Sequence, residues 1–444
     1  MPPAPDLAAL AADAYVYGYP LVADLTEVRR FTATGMGTLP AAPFNAFAHA
    51  AQLAGPADTF VTVNNDTVYS AAQVDLGSGP QVLHVPDTAG RYYVLQFVDA
   101  WTNNFAYVGR RATGTGEGSF LLAPPDWAGE TPAGLRRITA PTRVFSIVGR
   151  NACAGPDDLP AVRALQAQLT LRPLDPAAGP PAGLPEPDTG VAEDLRFWEQ
   201  LRVGMGAFPP APADIAYQQR FAPLGLLSET SPYVAPDATL ATALRAGFAA
   251  GRDAVEALTR HQPSTENGWS LTLHAFDYNL DHFELGALAE PRWRLPDRAA
   301  VPAARAAAAR AGLWGNHAYE ALYALTFVDG DGQQLTGARR YRIRFPQPPP
   351  VDAFWSLTMY DLPNYYLVAN PIGRYSIGDR TPGLRPDPDG GFTLFLQHEA
   401  PPAGQEPNWL PTPAGDFRPV MRMYQPGAAL LDGTYRLPPI ERVD

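Results

Sequence analysis

Residues 354–375 read FWSLTMYDLPNYYLVANPIGRY. Apolar and hydroxyl-bearing residues alternate through the first half, which is the period-two pattern of a half-buried strand. Trp355, Leu357 and Met359 fall on one face, and Ser356, Thr358 and Tyr360 on the other. Asp361 then lands in register with the apolar face, where a carboxylate is costly to desolvate. Asn364, Asn370, Arg374 and Tyr375 follow, polar groups too dense for an ordinary connection. A strand that ends in an inward acid and a polar loop marks a place for a site.

Residues 91–108, RYYVLQFVDAWTNNFAYV, echo residues 353–370, AFWSLTMYDLPNYYLVAN. Both run as strand, inward acid, short step, then Asn before aromatics, with Tyr93, Leu95, Phe97 and Asp99 sharing a face. The echo reads either as a remote duplication of a β unit or as two similar strands.

Working outward, Asp6 caps a helix from about Leu7 through Tyr17, Pro20 interrupts it, and a second stretch reaches about Arg30. Strand patterns begin near Phe60 (FVTVNNDTVYSAAQVDL) and continue through QVLHVP, RYYVLQFVDAW, FAYVGRR and Arg143 to Arg150. Asp157 or Asp158 caps a helix to about Leu169. Residues 172–190, rich in proline, form a linker or wrapping loop. From Val191 to about Gly315 the pattern is mainly helical, with RAAVPAARAAAARAGLW the plainest helix. Leu322–Val328 and Arg339–Phe345 read as a hairpin joined through DGDGQQLTG, and strands and turns follow to the end. The expected fold is α+β and predominantly β. It has two antiparallel sandwich-like domains (1–170 and 321–444), a leading helix, and a linker and helical middle (171–320).

Composition narrows the chemistry. At 444 residues the chain exceeds one compact core, and 46% hydrophobic with 18% charged residues suits a globular protein. The 49 prolines and 39 glycines favour loops and strands. Net charge is −12 and the chain has no lysine, which excludes Schiff-base and lysine-dependent pyridoxal phosphate chemistry. An acidic surface without basic clusters argues against nucleic acid and against anionic membranes as partners. The single cysteine, Cys153, allows no internal disulfide and no thiolate metal site. The N-terminus reads as a helix start without a basic leader, and no apolar run is long enough to span a bilayer, so a cytoplasmic location is expected, or a periplasmic or secreted one if a leader has been removed.

The chain also resembles a bacterial family that pairs domain of unknown function 1254 with domain of unknown function 1214. AYVYGYP, VNNDTVYSAAQVDL and RYYVLQFVDAWTNNFAYVG carry the N-terminal likeness. FWSLTMYD, NPIGRYSIGD, DGGFTLFLQ, NWLPTP and FRPVMRMYQP carry the C-terminal one. The resemblance implies two β-rich domains with helices packed around and between them, and supplies no shared reaction.

Three acids are candidates for catalysis. Asp66 follows Asn64 and Asn65 in good turn material, and acts either in that turn or as an acid/base group with Tyr69 and the amides orienting a ligand. Asp99 and Asp361 fall where alternation buries a strand end, which raises an acid's pKa unless donors compensate. The alternative is that each carboxylate closes its own loop, and Arg374 is near enough to pair with Asp361. Trp101, Asn103, Asn104, Trp355, Tyr360, Asn370 and Tyr375 mix aromatic faces with amides and hydroxyls, a composition suited to a ligand pocket or to an interface. Arg374 and Arg422 could hold an anionic group, or stack in the core.

His274, Asp277, Asp281, His282 and Glu284 form the one histidine group. On a helix His282 turns away from the rest, so no metal is expected, and no fingerprint of a redox cofactor is present. The leading expectation is a hydrolase or lyase, with a small polar or aromatic molecule bound between the two β domains. The competing one is a non-catalytic, carbohydrate-like binding protein or an interaction protein. Self-association into a homo-oligomer is left open.

Overall fold

The computed structural model describes residues 6–59, 61–260 and 265–443. Its N-terminal lobe begins with β1 (Phe47–His49), β2 (Thr67–Asp75), β3 (Gln81–Val85), β4 (Tyr93–Asp99) and β5 (Asn104–Gly109). Strands β6 (Gly118–Ala123), β7 (Arg136–Thr139), β8 (Val144–Ala152) and β9 (Thr170–Pro173) complete it. An inner sheet runs β1-β2-β8-β4-β5 and an outer sheet β7-β6-β3-β9. Phe97, Phe105, Phe145 and Ile147 fill the space between them.

The C-terminal lobe contains β10 (Thr265–Glu266), β11 (Trp269–Leu271), β12 (Ala321–Leu325), β13 (Tyr341–Phe345) and β14 (Val351–Asp361). It continues with β15 (Ser376–Gly378), β16 (Phe392–Gln397), β17 (Trp409–Pro411), β18 (Phe417–Pro426) and β19 (Glu441–Arg442). The inner sheet is β10-β11-β12-β18-β14-β15 and the outer sheet β17-β16-β13-β19. The apolar face of β14 turns into this sandwich, where Trp355 stacks on Phe345 and Phe392 at ring distances of 5.9 and 5.0 Å. Burying each such side chain contributes about 1.5–3 kcal/mol.

The two lobes share one topology. Strands β2 to β9 and β12 to β19 occupy matching places, down to the parallel pairs β6–β7 and β16–β17. The echo between β4 and β14 is one part of this repeat: Asp99 lies opposite Phe145, and Asp361 opposite Phe417. Gly109 and Gly378 also match. A Cβ there would sit 2.5 Å from the carbonyl oxygen of Tyr93 and 2.1 Å from that of Trp355, so both edges need glycine.

Four sequence expectations need correction. The first helix runs unbroken from Leu7 to Thr34 through Pro20. It buries Tyr15, Tyr17, Leu21, Leu25 and Val28 among helices Arg196–Ala207, Ala238–Arg260 and Val301–Gly312, and that packing outweighs a proline cost of about 3 kcal/mol. Phe60 lies outside the described residues, and the strand expected to begin there starts at Thr67. β12 and β13 form no hairpin: β12 belongs to the inner sheet, whereas β13 alternates buried and exposed residues, as an outer strand must. Finally, residues 272–290 are not helical. The Asn279 side chain caps its own turn at His282 N (3.1 Å), and Glu284 N and Leu285 O bond along β5.

The proline-rich segment wraps the N-terminal lobe. Gly183 N reaches Asp75 at 2.6 Å, and Gly183 O accepts from Arg143 at 2.8 Å. Among the described residues no helix is long and apolar enough to cross a membrane.

Candidate functional site

The inner sheets meet through their polar faces. On β14 this is the hydroxyl face (Ser356, Thr358, Tyr360), not the face that carries Asp361. Strand pairing sets two matching rows at the boundary. Tyr69, Arg150, Val94 and Gly109 lie side by side on the N-terminal sheet. Tyr323, Arg422, Ser356 and Gly378 do so on the C-terminal sheet. Each buried guanidinium is braced in the same way. Arg150 donates to Gln96 Oε1 and Trp314 O, both at 2.8 Å. Arg422 donates to Thr358 Oγ1 at 3.0 Å and to Thr62 O at 2.7 Å.

Asp66 sits three residues before Tyr69, at the edge of this layer. Its carboxylate accepts from Ser356 Oγ and, at 3.0 Å, from Tyr424 OH, so it bridges the lobes. Asn64 holds the turn: its Oδ1 accepts from the N–H groups of Asp66 and Thr67, and its Nδ2 donates to Tyr69 OH at 2.8 Å. Arg380 donates to Asp66 O at 2.7 Å and lies over the Phe354 ring. Outside Asp66 a cleft of about 640 Å³ opens between the lobes, and Asn65, Asp66, Ser356, Arg374, Tyr375 and Arg380 are among its lining residues. Trp355 is also among the lining residues, although it is buried and its ring packs in the core. A second hollow of about 730 Å³, on the C-terminal lobe, is lined by Asn370, Arg374, His398 and Trp409 but holds no buried acid.

The other candidate acids serve their own turns. Asp99 accepts from Trp101 N, Asn103 N and Asn103 Nδ2 at 2.8–3.0 Å. Burial raises its pKa, against the Asn103 hydrogen bonds and the nearby Arg305. Asp361 accepts from Tyr366 N at 2.8 Å and Asn364 Nδ2 at 3.2 Å. Arg374 does not meet Asp361. It donates to the carbonyls of Glu406, Pro407 and Trp409, while Asn370 ties its backbone. Trp101 donates to Phe208 O among the helices, and Asn103 accepts from Arg305. Asn104 bonds Gln96 and so reaches Arg150 at second hand. Tyr360 donates to Val63 O at 2.6 Å and packs near Arg422.

The lobe repeat gives Asp66 a counterpart in Glu320, three residues before Tyr323. Glu320 is sealed: it accepts from Arg111 and, at 3.0 Å, from Tyr92 OH. Burial raises its pKa and Arg111 opposes the shift. Arg111 and Arg380 are themselves counterparts, each two residues past the matched glycine.

Residues 44–173 match the family described as Protein of unknown function (DUF1254), and residues 320–428 match Protein of unknown function (DUF1214). The chain belongs to the family that pairs these two modules. The DUF1254 match ends at the last residue of β9, and the DUF1214 match begins at Glu320. The fold is similar to the crystal structure of the VPA0106 protein from Vibrio parahaemolyticus, with a TM-score of 0.73 and 24% identity over 99% of this chain and 100% of that one. An uncharacterized protein from Burkholderia cenocepacia is more distant, with a TM-score of 0.47 and 12% identity over 97% of this chain and 88% of that one. No curated protein matches the chain.

Sequence reasoning missed Arg150, Tyr92, Tyr323, Ser356, Tyr424 and Arg380. The available signal was the alternation of Arg418, Val420, Arg422 and Tyr424 in FRPVMRMY, a strand with a polar face. The histidine group does not converge. His274 pairs with Asp277 at 2.5 Å, Asp281 with Arg298, and His282 with Thr139 O. Among the described residues no three ligand-type side chains gather as a metal site would require.

Proposed function

We propose that this DUF1254–DUF1214 protein is an enzyme, a hydrolase or lyase without a redox cofactor, acting on a small polar or aromatic molecule in the interlobe cleft. The observation that carries the reading is that Asp66, alone among the three candidate acids, lines the cleft. Asp66 would take a proton from water or substrate and return it to the leaving group. Arg380 and Arg374 stand around the same opening as donors for negative charge developing on oxygen.

A panel of small esters, hydroxy acids and aromatic acids tests this. Asp66→Asn should abolish turnover of whichever compound the wild type converts, with a melting temperature close to wild type. A matching loss of fold would mark Asp66 as structural. One observation favours the second reading, a non-catalytic binding protein: both carboxylate oxygens already accept hydrogen bonds across the lobe boundary. A wild type inert toward the whole panel would leave that reading standing.

A further inference from the structure

Arg150 and Arg422 face each other's lobe from matched positions in the two inner sheets, and each is more than nine-tenths buried. Among the described residues their hydrogen bonds go to neutral acceptors: a glutamine amide, a threonine hydroxyl and two backbone carbonyls. Neither forms an ion pair among the described residues. A guanidinium taken out of water without a counter-charge is strongly disfavoured, and Arg keeps its proton under nearly all conditions.

The surroundings compensate only in part. Tyr69, Tyr92, Tyr323 and Tyr424 lie near Arg150, Tyr69, Tyr360 and Tyr424 near Arg422, and burial pushes the Tyr92 and Tyr424 phenols well above their ordinary value. At neutral pH these side chains offer dipoles and ring faces but no negative charge. Glu320 bonds Arg111 and lies within electrostatic reach of Arg150, and Asp66 lies near Arg422, but neither carboxylate forms an ion pair with either guanidinium among the described residues. Asn316, 1% exposed and bonded to Tyr323 OH, also has a side-chain oxygen without a partner at the same boundary.

The row geometry sets the layer next to the cleft. Gly378 and Ser356 line the cleft, and Arg422 is the next residue across the sheet from Ser356, within a few ångströms at Cβ. We infer that the Tyr–Arg layer is an anion site reached through the cleft, and that the molecule it takes is a small organic carboxylate bound by Arg422 and Arg150. This rests on the cleft being the site of the proposed function and names its substrate class. A carboxylate suits the layer because planar guanidinium forks pair with it in two parallel bonds, and an aromatic or short aliphatic body suits the tyrosine rings.

Titration calorimetry and thermal shift with benzoate, benzamide and sulfate test the inference. Benzoate is expected to bind and raise the melting temperature by several degrees, with benzamide and sulfate at least tenfold weaker. Arg422→Met and Arg150→Met should each weaken benzoate at least tenfold. Asp66→Asn should bind benzoate several-fold more tightly, because it removes the competing carboxylate. That last arm separates this inference from the catalytic reading: turnover lost with benzoate binding kept leaves the anion site in place. If either arginine variant fails to fold, the comparison of benzoate with benzamide on wild type still decides. Benzoate without effect, benzamide equal to benzoate, sulfate equal to benzoate, or folded arginine variants binding as wild type would each overturn the assignment.

Discussion

Asp66 and Glu320 occupy matching places in two lobes of one topology, yet their carboxylates meet different worlds. Glu320 is 1% exposed and locked between Arg111 and Tyr92. Asp66 meets only hydroxyls, its matched arginine (Arg380) bonds its backbone oxygen instead, and a cleft opens beside it. The difference teaches that a repeated framework can pair an acid directly with an arginine in one half and leave its counterpart bonded to hydroxyls in the other.

The comparison predicts unequal costs. The largest is expected for Glu320→Gln, which leaves Arg111 unpaired against its tyrosines. About 3 kcal/mol should be lost, the low end for a broken buried pair because Arg111 keeps some solvent. A urea midpoint near that of wild type would make the pairing ornamental. Next come Gly109→Ala and Gly378→Ala. If the lobes are equivalent at these edges, each added methyl should cost about 1–3 kcal/mol by overpacking against a carbonyl. A large effect at one and none at the other would break the equivalence there. Asp66→Asn keeps an oxygen acceptor for one of Ser356 and Tyr424 and turns its NH2 to the other hydroxyl, which can accept, so its loss should be about 1 kcal/mol or less.

A pH-dependent effect is expected at Asp24, buried in the first helix and bonded to Trp314 Nε1 at 2.7 Å. Burial holds its pKa well above the ordinary carboxylate value, against the Trp314 bond. A raised folded-state pKa contributes stability at acidic pH that is lost as pH climbs above the unfolded value. Asp24→Asn should therefore match wild type near pH 4 and melt higher as pH approaches 8. A melting difference that stays flat with pH would count against a desolvated acid there.

Much of the fold was legible because local periodicity carries it. Trp355, Leu357 and Met359 announce a sandwich strand, and the echo at Tyr93, Leu95 and Phe97 anticipates the repeat. The site was less legible, for a physical reason. Alternation says that Ser356, Thr358 and Tyr360 share a face, but not that this face meets another lobe and stays buried. Arg150 and Arg422 become counterparts only through the strand registers within each of the two sheets, over loops of unequal length that hide the repeat. Asp99 and Asp361 drew attention as inward acids; their carboxylates go to the loops that follow them, as short-range donors compete for any strand-end acid. Pro20 and the stretch near Asn279 show the same limit, where packing in one case and a side-chain cap in the other outweighed the pattern.

The most direct test sets the two matched acids side by side, measuring turnover per folded molecule for wild type, Asp66→Asn and Glu320→Gln on a compound the wild type converts. Glu320→Gln should fold less well yet turn over within about threefold of wild type, whereas Asp66→Asn should fold normally and lose at least about a hundredfold. The reverse, an active Asp66→Asn beside a folded but inactive Glu320→Gln, would contradict the account.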